Sequence, residues 1–371
     1  MIELHGEEER VILAAVSTGD PEAAERSLDE LAELARTAGA KVVGRLIQQR
    51  DSIHPVTYLG KGKLEELQGA VWELDATGVI CDDELTPAQH RSMADAVDCK
   101  IMDRTLLILD IFAGRAHTSE GKLQVELAQL KYRATHLTGM GQALSRLGGG
   151  IGTRGPGEKK LEIDRRRIHQ RIGQLKKELK DLTRHREVAR KKRSQAGKPA
   201  ISLVGYTNAG KSTLFQKLTG EQTYTDDLLF ATLDPLTRTG YLGEGRTALF
   251  TDTVGFIEKL PHHLVDAFRS TLEEALQADI LLHVVDASNP ACAEQTFAVY
   301  ETLRELGSLD KPVVTVFNKA DRCEPGQIHR DFQAEASLTI SALTGQGIED
   351  LRALLLELTR KESDLPRTEG F

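Results

Sequence analysis

Gly205-Tyr206-Thr207-Asn208-Ala209-Gly210-Lys211-Ser212 is the stretch that decides the fold, because it spells GxxxxGKS in full. The preceding run Ala200–Val204 reads as an apolar strand, and Thr213–Thr219 continues as a helix. Strand, glycine-rich loop and helix together form the setting in which this motif cradles phosphates. Backbone N–H groups from Gly205 to Thr213 are expected to wrap the phosphates, with the helix N-terminus adding its dipole. Lys211 is expected to reach the β- and γ-phosphates, and Ser212 to ligate Mg²⁺.

Three further elements follow in the order of a P-loop (Ras-like) GTPase domain. Asp252-Thr253-Val254-Gly255 ends a predicted strand, Ala248–Thr251, and gives DxxG. Asp252 is expected to hold Mg²⁺ through water, and the Gly255 N–H to sense the γ-phosphate. Asn318-Lys319-Ala320-Asp321 ends a predicted strand, Val313–Phe317, and gives NKxD. The Asp321 carboxylate can accept from both N1–H and N2–H₂ of guanine, a donor pair that adenine lacks. Ser341-Ala342-Leu343, after the predicted strand Ser337–Ile340, is expected to supply a backbone contact to guanine O6. Between the first two motifs lies Phe230-Ala231-Thr232-Leu233-Asp234-Pro235. Thr232 is the choice for the switch threonine on Mg²⁺, with Thr225 as competitor. Lys211, Thr232 and Gly255 are thus the catalytic set, and Ser212, Thr232 and Asp252 the metal set.

The residues after Gly255 bear on rate. Where many small GTPases carry a water-orienting Gln, this chain has Phe256 and then Ile257. Neither positions water by hydrogen bonding, so hydrolysis is expected to be slow until a partner supplies the missing group. Asn208, in the form GxxNxGKS, resembles GTPases that bind K⁺ beside the phosphates; the alternative is that it only shapes the turn.

Composition bounds the rest. The 371 residues imply two or three domains. A 40% hydrophobic and 28% charged composition, with no apolar run near the ~18 residues of a spanning helix, argues against a membrane protein. The acidic N-terminus MIELHGEEER does not read as a secretory signal. Cys81, Cys99, Cys292 and Cys323 are scattered, without CxxC or His at metal-ligand spacing, and read as free thiols in a reducing cytoplasm.

The net charge of −8 conceals three blocks. Residues 1–117 hold 12 basic and 22 acidic side chains, 118–198 hold 21 and 8, and 199–371 hold 15 and 26. The nets are −10, +13 and −11, and the basic middle marks a polyanion-binding segment, a solvated helix face or a linker. Its pattern argues against a disordered linker. Leu123, Leu127, Leu130, Ala134 and Leu137 are spaced 4, 3, 4, 3, and Ile168, Ile172, Leu175, Leu179 and Leu182 repeat that spacing, with Leu161 one heptad upstream. Two a/d stripes predict two helices paired as an antiparallel hairpin, with arms of roughly 30 Å for about 20 residues. The glycine-rich loop Gly148–Lys160 is longer than a connection needs. Its Arg154, Lys159 and Lys160, with Arg146 nearby, make a positive tip suited to RNA backbone; the other reading is an inert connector.

The first 117 residues alternate predicted strands (Val11–Val16, Val42–Ile47, Gly78–Cys81, Lys100–Met102) with predicted helices (Pro21–Thr37, Lys61–Leu74, Pro87–Val97). That alternation predicts a parallel α/β domain. Tyr58-Leu59-Gly60-Lys61-Gly62-Lys63 is too short for a Walker or dinucleotide fingerprint and reads first as a turn and helix start, with a phosphate site as the lesser reading. The fold class is α/β throughout, in three parts: N-terminal parallel α/β domain 1–117, basic helical hairpin 118–198 and GTPase domain 199–371.

With these residues in hand, the chain resembles the HflX family of GTPases. The resemblance rests on GGGIGTRGPGE, GYTNAGKSTLF, LLFATLDP, DTVGFI with LPHHLVDAFRSTLEE, NKAD and SAL. It implies a cytoplasmic protein with GTP and GDP as substrate and product; a monomer is the expectation for the chain apart from the resemblance. It further implies binding to the 50S subunit, with rRNA contacts through 118–198, and dissociation of stalled or idle 70S ribosomes. The GTP-bound form would bind, and hydrolysis would permit release. ATP use reported for the family's N-terminal part finds no recognisable second nucleotide motif here. Some members carry a further domain after the GTPase fold; here Leu365–Phe371 follow the last predicted helix, Gly347–Glu362. The alternative function is a GTPase partner of an RNA-modifying or assembly factor, with the hairpin as a protein-docking element; a net +13 favours the ribosome.

Base choice should reside in one carboxylate. Asp321→Asn is expected to weaken GTP binding at least about a hundred-fold, since a buried group left unpaired costs roughly 1–3 kcal/mol and more when charged. It should shift preference toward xanthosine nucleotides, whose carbonyl accepts from the new amide. Nucleotide titrations with GTP and XTP check this, and unchanged GTP affinity would refute the NKxD assignment.

Overall fold

The computed structural model describes residues 8–147, 156–194, 198–221, 228–259, 277–324 and 330–364. The chain folds as two compact units, the first running to Asp181 and the second beginning at Leu182.

The first unit opens with β1 (Arg10–Ser17), α1 (Pro21–Thr37), β2 (Lys41–Gln49), α2 (Lys61–Glu73), β3 (Gly78–Cys81), α3 (Pro87–Val97), β4 (Lys100–Asp103) and α4 (Arg104–Arg115). The strands pair in the order β2-β1-β3-β4, all parallel. Local sequence sets the helix starts. Asp20 caps α1 by accepting from the Glu22 N–H, with Pro21 in the first turn. Thr86 and Gln89 form a reciprocal capping box ahead of α3, with Pro87 at its start. Helix α4 goes unassigned in the sequence reading. Seven of its twelve residues, from Arg104 to Phe112, are buried, so it shows no polar stripe to reveal its period.

Arg104, 1% exposed, is the largest fully buried side chain of this unit. Its guanidinium donates to Asp82 Oδ1 and Glu30 Oε1, both at 2.6 Å, and to the Ser27 hydroxyl and carbonyl. Burial lowers its pKa, but Asp82 and Glu30 more than reverse this, so the charge is held. Removing one partner from such a buried pair costs about 3–5 kcal/mol.

Helices α5 (Ser119–Leu147) and α6 (Pro156–Ser194) form the hairpin. Leu127, Ile172 and Leu175 make its buried centre, and Leu123, Leu130, Ala134, Ile168 and Leu179 pack around them, as the heptad stripes predict. Arg171 clamps Glu126 across the seam with two hydrogen bonds of 2.7 and 2.9 Å. The stripe does not account for the second apolar face of α5. Val125, Ala128 and Tyr132 are buried as well, and this helix packs on α3 and α4. Tyr132 donates to Asp103, the N-cap residue of α4, at 2.9 Å. The first arm is therefore fastened to the α/β layer along part of its length. Gly148–Gly155 and Arg154 lie outside the described residues, as do the side chains of Arg146, Lys159, Lys160 and Leu161.

The second unit contains β5 (Ala200–Gly205), α7 (Lys211–Thr219), β6 (Leu236–Gly243), β7 (Arg246–Asp252), β8 (Ile280–Asp286), α8 (Cys292–Glu305), β9 (Val313–Asn318), β10 (Ala336–Thr339) and α9 (Ile348–Asp364). Its sheet runs β10-β9-β8-β5-β7-β6, parallel except for the β6–β7 hairpin. The chain leaves β5 between β7 and β8, so the crevice beyond its carboxyl end is a topological switch point, where open α/β sheets take their ligands. Strands β6 and β8 and helix α8 go unassigned in the sequence reading. In α8 the exposed Phe297 interrupts the stripe of Val299, Tyr300 and Leu303.

Candidate functional site

Loops following β5, β7, β9 and β10 converge in the second unit. The GxxxxGKS loop lies between β5 and α7. Gly210 adopts φ +92°, and a Cβ there would stand 2.3 Å from the Asn318 amide nitrogen, so a side chain is excluded on both counts. Asn208 also has positive φ, +58°, which Asn tolerates. Its side chain is exposed, with no hydrogen-bond partner among the described residues.

A cavity of about 330 Å³ opens over this loop. Of the predicted residues, Thr207, Asn208, Gly210, Lys211, Ser212, Thr213, Thr232, Gly255 and Leu343 line it. Phe230 lines it too and takes φ +54°, an unusual backbone for an aromatic residue, while its side chain is buried. The sequence reading quotes Phe230 only as a neighbour of Thr232.

Lys211 is 6% exposed and donates to Gly205 O at 3.1 Å and Tyr206 O at 2.8 Å. Burial pulls its pKa down to about 8. Asp252, 3% exposed, has its carboxyl pushed up by burial, against the pull of Lys211 and of hydrogen bonds from Ser212 and Thr232. The three predicted metal ligands meet. Ser212 Oγ and Thr232 Oγ1 donate to Asp252 Oδ2 at 2.8 and 2.9 Å and lie 3.1 Å from each other. Among the described residues, the buried atoms Asp252 Oδ1 and Thr207 Oγ1 have no hydrogen-bond partner. Convergent hard oxygens with one carboxylate oxygen unspent suit a small divalent cation. Thr225 lies outside the described residues.

The segment after Asp252 is laced to the loop. Phe256 N donates to Gly205 O at 3.1 Å, and Thr207 N donates to Phe256 O at 2.7 Å. Phe256 and Ile257 are buried, at 2% and 3% exposure, and offer nothing that could orient water.

The base-recognition motifs form a second cluster. Asn318 Nδ2 donates to Ala209 O, and its Oδ1 accepts from Ala342 N, both at 2.9 Å. Ser341 Oγ donates to Asp321 Oδ1 at 2.5 Å. Asp321 is exposed and keeps its edge toward solvent. Lys319 pairs with Asp286 Oδ2 at 2.7 Å. Asp286 escapes sequence reading because the strand it ends carries no recognised motif; the apolar run Ile280–Val285 before NKxD was the available signal. Among the described residues no three His, Cys, Asp or Glu side chains group as a metal cluster, and no helix is long and apolar enough to cross a membrane.

Comparison with known proteins agrees with this geometry. Residues 25–113, 115–193 and 200–319 match families described as GTP-binding GTPase N-terminal, GTP-binding GTPase Middle Region and 50S ribosome-binding GTPase. A protein named GTPase HflX from Lacrimispora saccharolytica is 61% identical over 362 residues, spanning 98% of this chain and 86% of the relative. GTPase HflX of Escherichia coli K12 is 44% identical over 333 residues, 89% of this chain and 78% of the relative. Among solved structures, the crystal structure of the SsGBP and GDP complex is similar at 26% identity and TM-score 0.52, covering 95% of this chain and 99% of that one.

With Lys211 read as the phosphate-binding ammonium, its burial predicts that phosphate binding is pH-dependent. Its folded, nucleotide-free pKa of about 8 lies below its ordinary value, so between about pH 8 and 10.4 the unfolded chain binds more protons. From this group alone, stability rises with pH across that window. Nucleotide binding needs the ammonium form, so GDP affinity should fall by up to about tenfold per pH unit above pH 8, with proton uptake on binding. Calorimetry in two buffers of different ionisation enthalpy reads both quantities; affinity that stays flat to pH 9.5 contradicts this account.

Proposed function

The chain belongs to the HflX family of GTPases, and from that premise we propose that it is a nucleotide-switched ribosome factor that binds the 50S subunit and dissociates stalled or idle 70S ribosomes. The observation that carries this reading is the union of a GTP site with a hairpin bearing net charge +13. Arg165, Arg166 and Arg167 are exposed on α6, beside Ile168 in the packed seam. A basic surface on a packed pair of helices suits rRNA phosphates better than a protein-docking face would. The family description 50S ribosome-binding GTPase, matched over 200–319, supports the same partner.

In this proposal the working parts are 1–117, 118–198 and 199–371, acting as a cytoplasmic monomer. Lys211 engages the β- and γ-phosphates, Gly255 N–H reads the γ-phosphate, and Asp321, Lys319 and the 341–343 loop select guanine. Ser212, Thr232 and Asp252 would hold Mg²⁺, which supplies charge neutralisation at the phosphates. Phe256 and Ile257, buried after Gly255, cannot orient water, so hydrolysis is slow alone and accelerated on the ribosome. The unpartnered Asn208 amide at the cavity rim is available to a K⁺ ion beside the phosphates.

Three experiments test this reading. Co-sedimentation with 50S subunits should be strong with a non-hydrolysable GTP analogue and weak with GDP. Shortening Gly148–Gly157 to a tight turn should keep GTP affinity but abolish 70S splitting, and neutralising Arg165, Arg166 and Arg167 should weaken binding and flatten its salt dependence. Splitting at the wild-type rate by the shortened protein sinks the role of the hairpin tip. Separately, exchanging K⁺ for Na⁺ should slow ribosome-stimulated hydrolysis; equal basal and stimulated rates in both salts remove K⁺ from the mechanism.

A further inference from the structure

The residue after the first glycine of GxxxxGKS is open in the motif, since the loop binds phosphate through its backbone. Here it is Tyr206, and its side chain is 6% exposed. Its hydroxyl accepts from the Glu258 N–H at 2.6 Å. That bond continues the lacing of residues 205–207 to 256–258, where Tyr206 and Phe256 form a parallel bridge. The two backbone bonds of the bridge can form with almost any side chains, whereas the third needs a hydroxyl at position 206.

Beneath this clasp sits Gly255, with no slack. A Cβ there would lie 2.7 Å from Thr207 Cγ2, 2.8 Å from Thr207 Cα and 3.0 Å from Lys211 Nζ. A side chain at position 255 would therefore press on Thr207 and on the Lys211 ammonium, and only glycine fits this close approach. Tyr206 touches both sides of this contact: its carbonyl accepts from Lys211, and its hydroxyl holds Glu258. A phosphate that draws Lys211 away from Gly205 O and Tyr206 O acts on the same residue that anchors the segment after DxxG.

We propose that the Tyr206 hydroxyl is a positioning group that sets Gly255 for the third phosphate and so governs discrimination between GTP and GDP. Tyr206 is not among the described residues that line the cavity, and its hydroxyl acts through the 255–258 backbone. The proposal rests on reading Lys211 and Gly255 as phosphate contacts.

The test is Tyr206→Phe in the full-length chain, which removes one oxygen and keeps the buried ring. Dissociation constants for GDP and for an imido-bridged GTP analogue are measured with Mg²⁺ by competition against a fluorescent nucleotide. The ratio of the GDP constant to the analogue constant should fall roughly two- to ten-fold, the worth of one neutral hydrogen bond. Hydrogen exchange at the Glu258 amide should lose protection in the analogue complex. A ratio that stays or rises, or a Glu258 amide protected as in the wild type, overturns the proposal. A general loss of stability moves both constants together and leaves the ratio unchanged. Lys211→Ala is the control: analogue affinity at the wild-type level there overturns the phosphate reading itself, whereas its loss together with an unmoved Tyr206→Phe ratio overturns only the role of the hydroxyl.

Discussion

The nucleotide unit depends on a buried amide. Asn318, 2% exposed, uses both ends of its side chain to join two loops that no strand ladder connects: Ala209 in the phosphate loop and Ala342 in the 341–343 loop. Each of those backbone groups needs a partner once removed from water, and the amide offers a donor and an acceptor at the right separation. A carboxylate in its place could only accept and would leave the Ala209 carbonyl unpaired. The phosphate end and the base end of the cleft are thereby held at a set distance. Gly210 fits only because its missing Cβ leaves room for this amide.

The same logic explains what the amino-acid sequence discloses. Ligand chemistry constrains residue type at set spacing, so Gly205 to Ser212, Asp252 to Gly255 and Asn318 to Asp321 stand out without any structure. The heptad stripes stand out because a two-helix seam demands period 3.5. Elements buried on several sides do not. Helix α4 is apolar nearly all round, strand β8 is a continuous apolar run, and the second face of α5 is hidden under the regularity of the first. Relations among loops are least legible. The Asp286–Lys319 pair and the Tyr206 clasp each join residues dozens of positions apart, and nothing local to either partner announces the other.

In the N-terminal unit a different constraint governs. The carboxyl ends of β3 and β4 carry Asp82 and Asp103, both essentially buried, and each has its own set of hydrogen-bond donors. Asp82 has Arg104 and Ser27. Asp103 accepts from Leu85 N, Leu106 N and the Tyr132 hydroxyl. Because Arg104 is the first residue of α4 and Asp103 its cap, one dipeptide at the end of β4 ties α1, α4, α5 and the loop before α3 together. Tyr132 makes the first hairpin arm part of that arrangement, so the base of the hairpin inherits the rigidity of the sheet.

Charge placement gives the proposed ribosome reading its physical sense. A chain of uniform net −8 would be repelled by a polyribonucleotide at every orientation. Collecting +13 between blocks of −10 and −11 makes approach orientation-dependent instead. Charges farther apart than the ~8 Å screening length at physiological salt act largely separately, so only acidic side chains close to a given basic one offset the attraction that it feels. In the proposed reading the acidic blocks would serve recognition as well as solubility, because rRNA contacts through residues 1–117 or 199–371 would carry a repulsive cost that contacts through the hairpin would not. Under this arrangement the nucleotide need not supply affinity for RNA. Its part in that reading is that of a switch: a γ-phosphate acting on a backbone segment tied at Tyr206 would decide when the basic element is used.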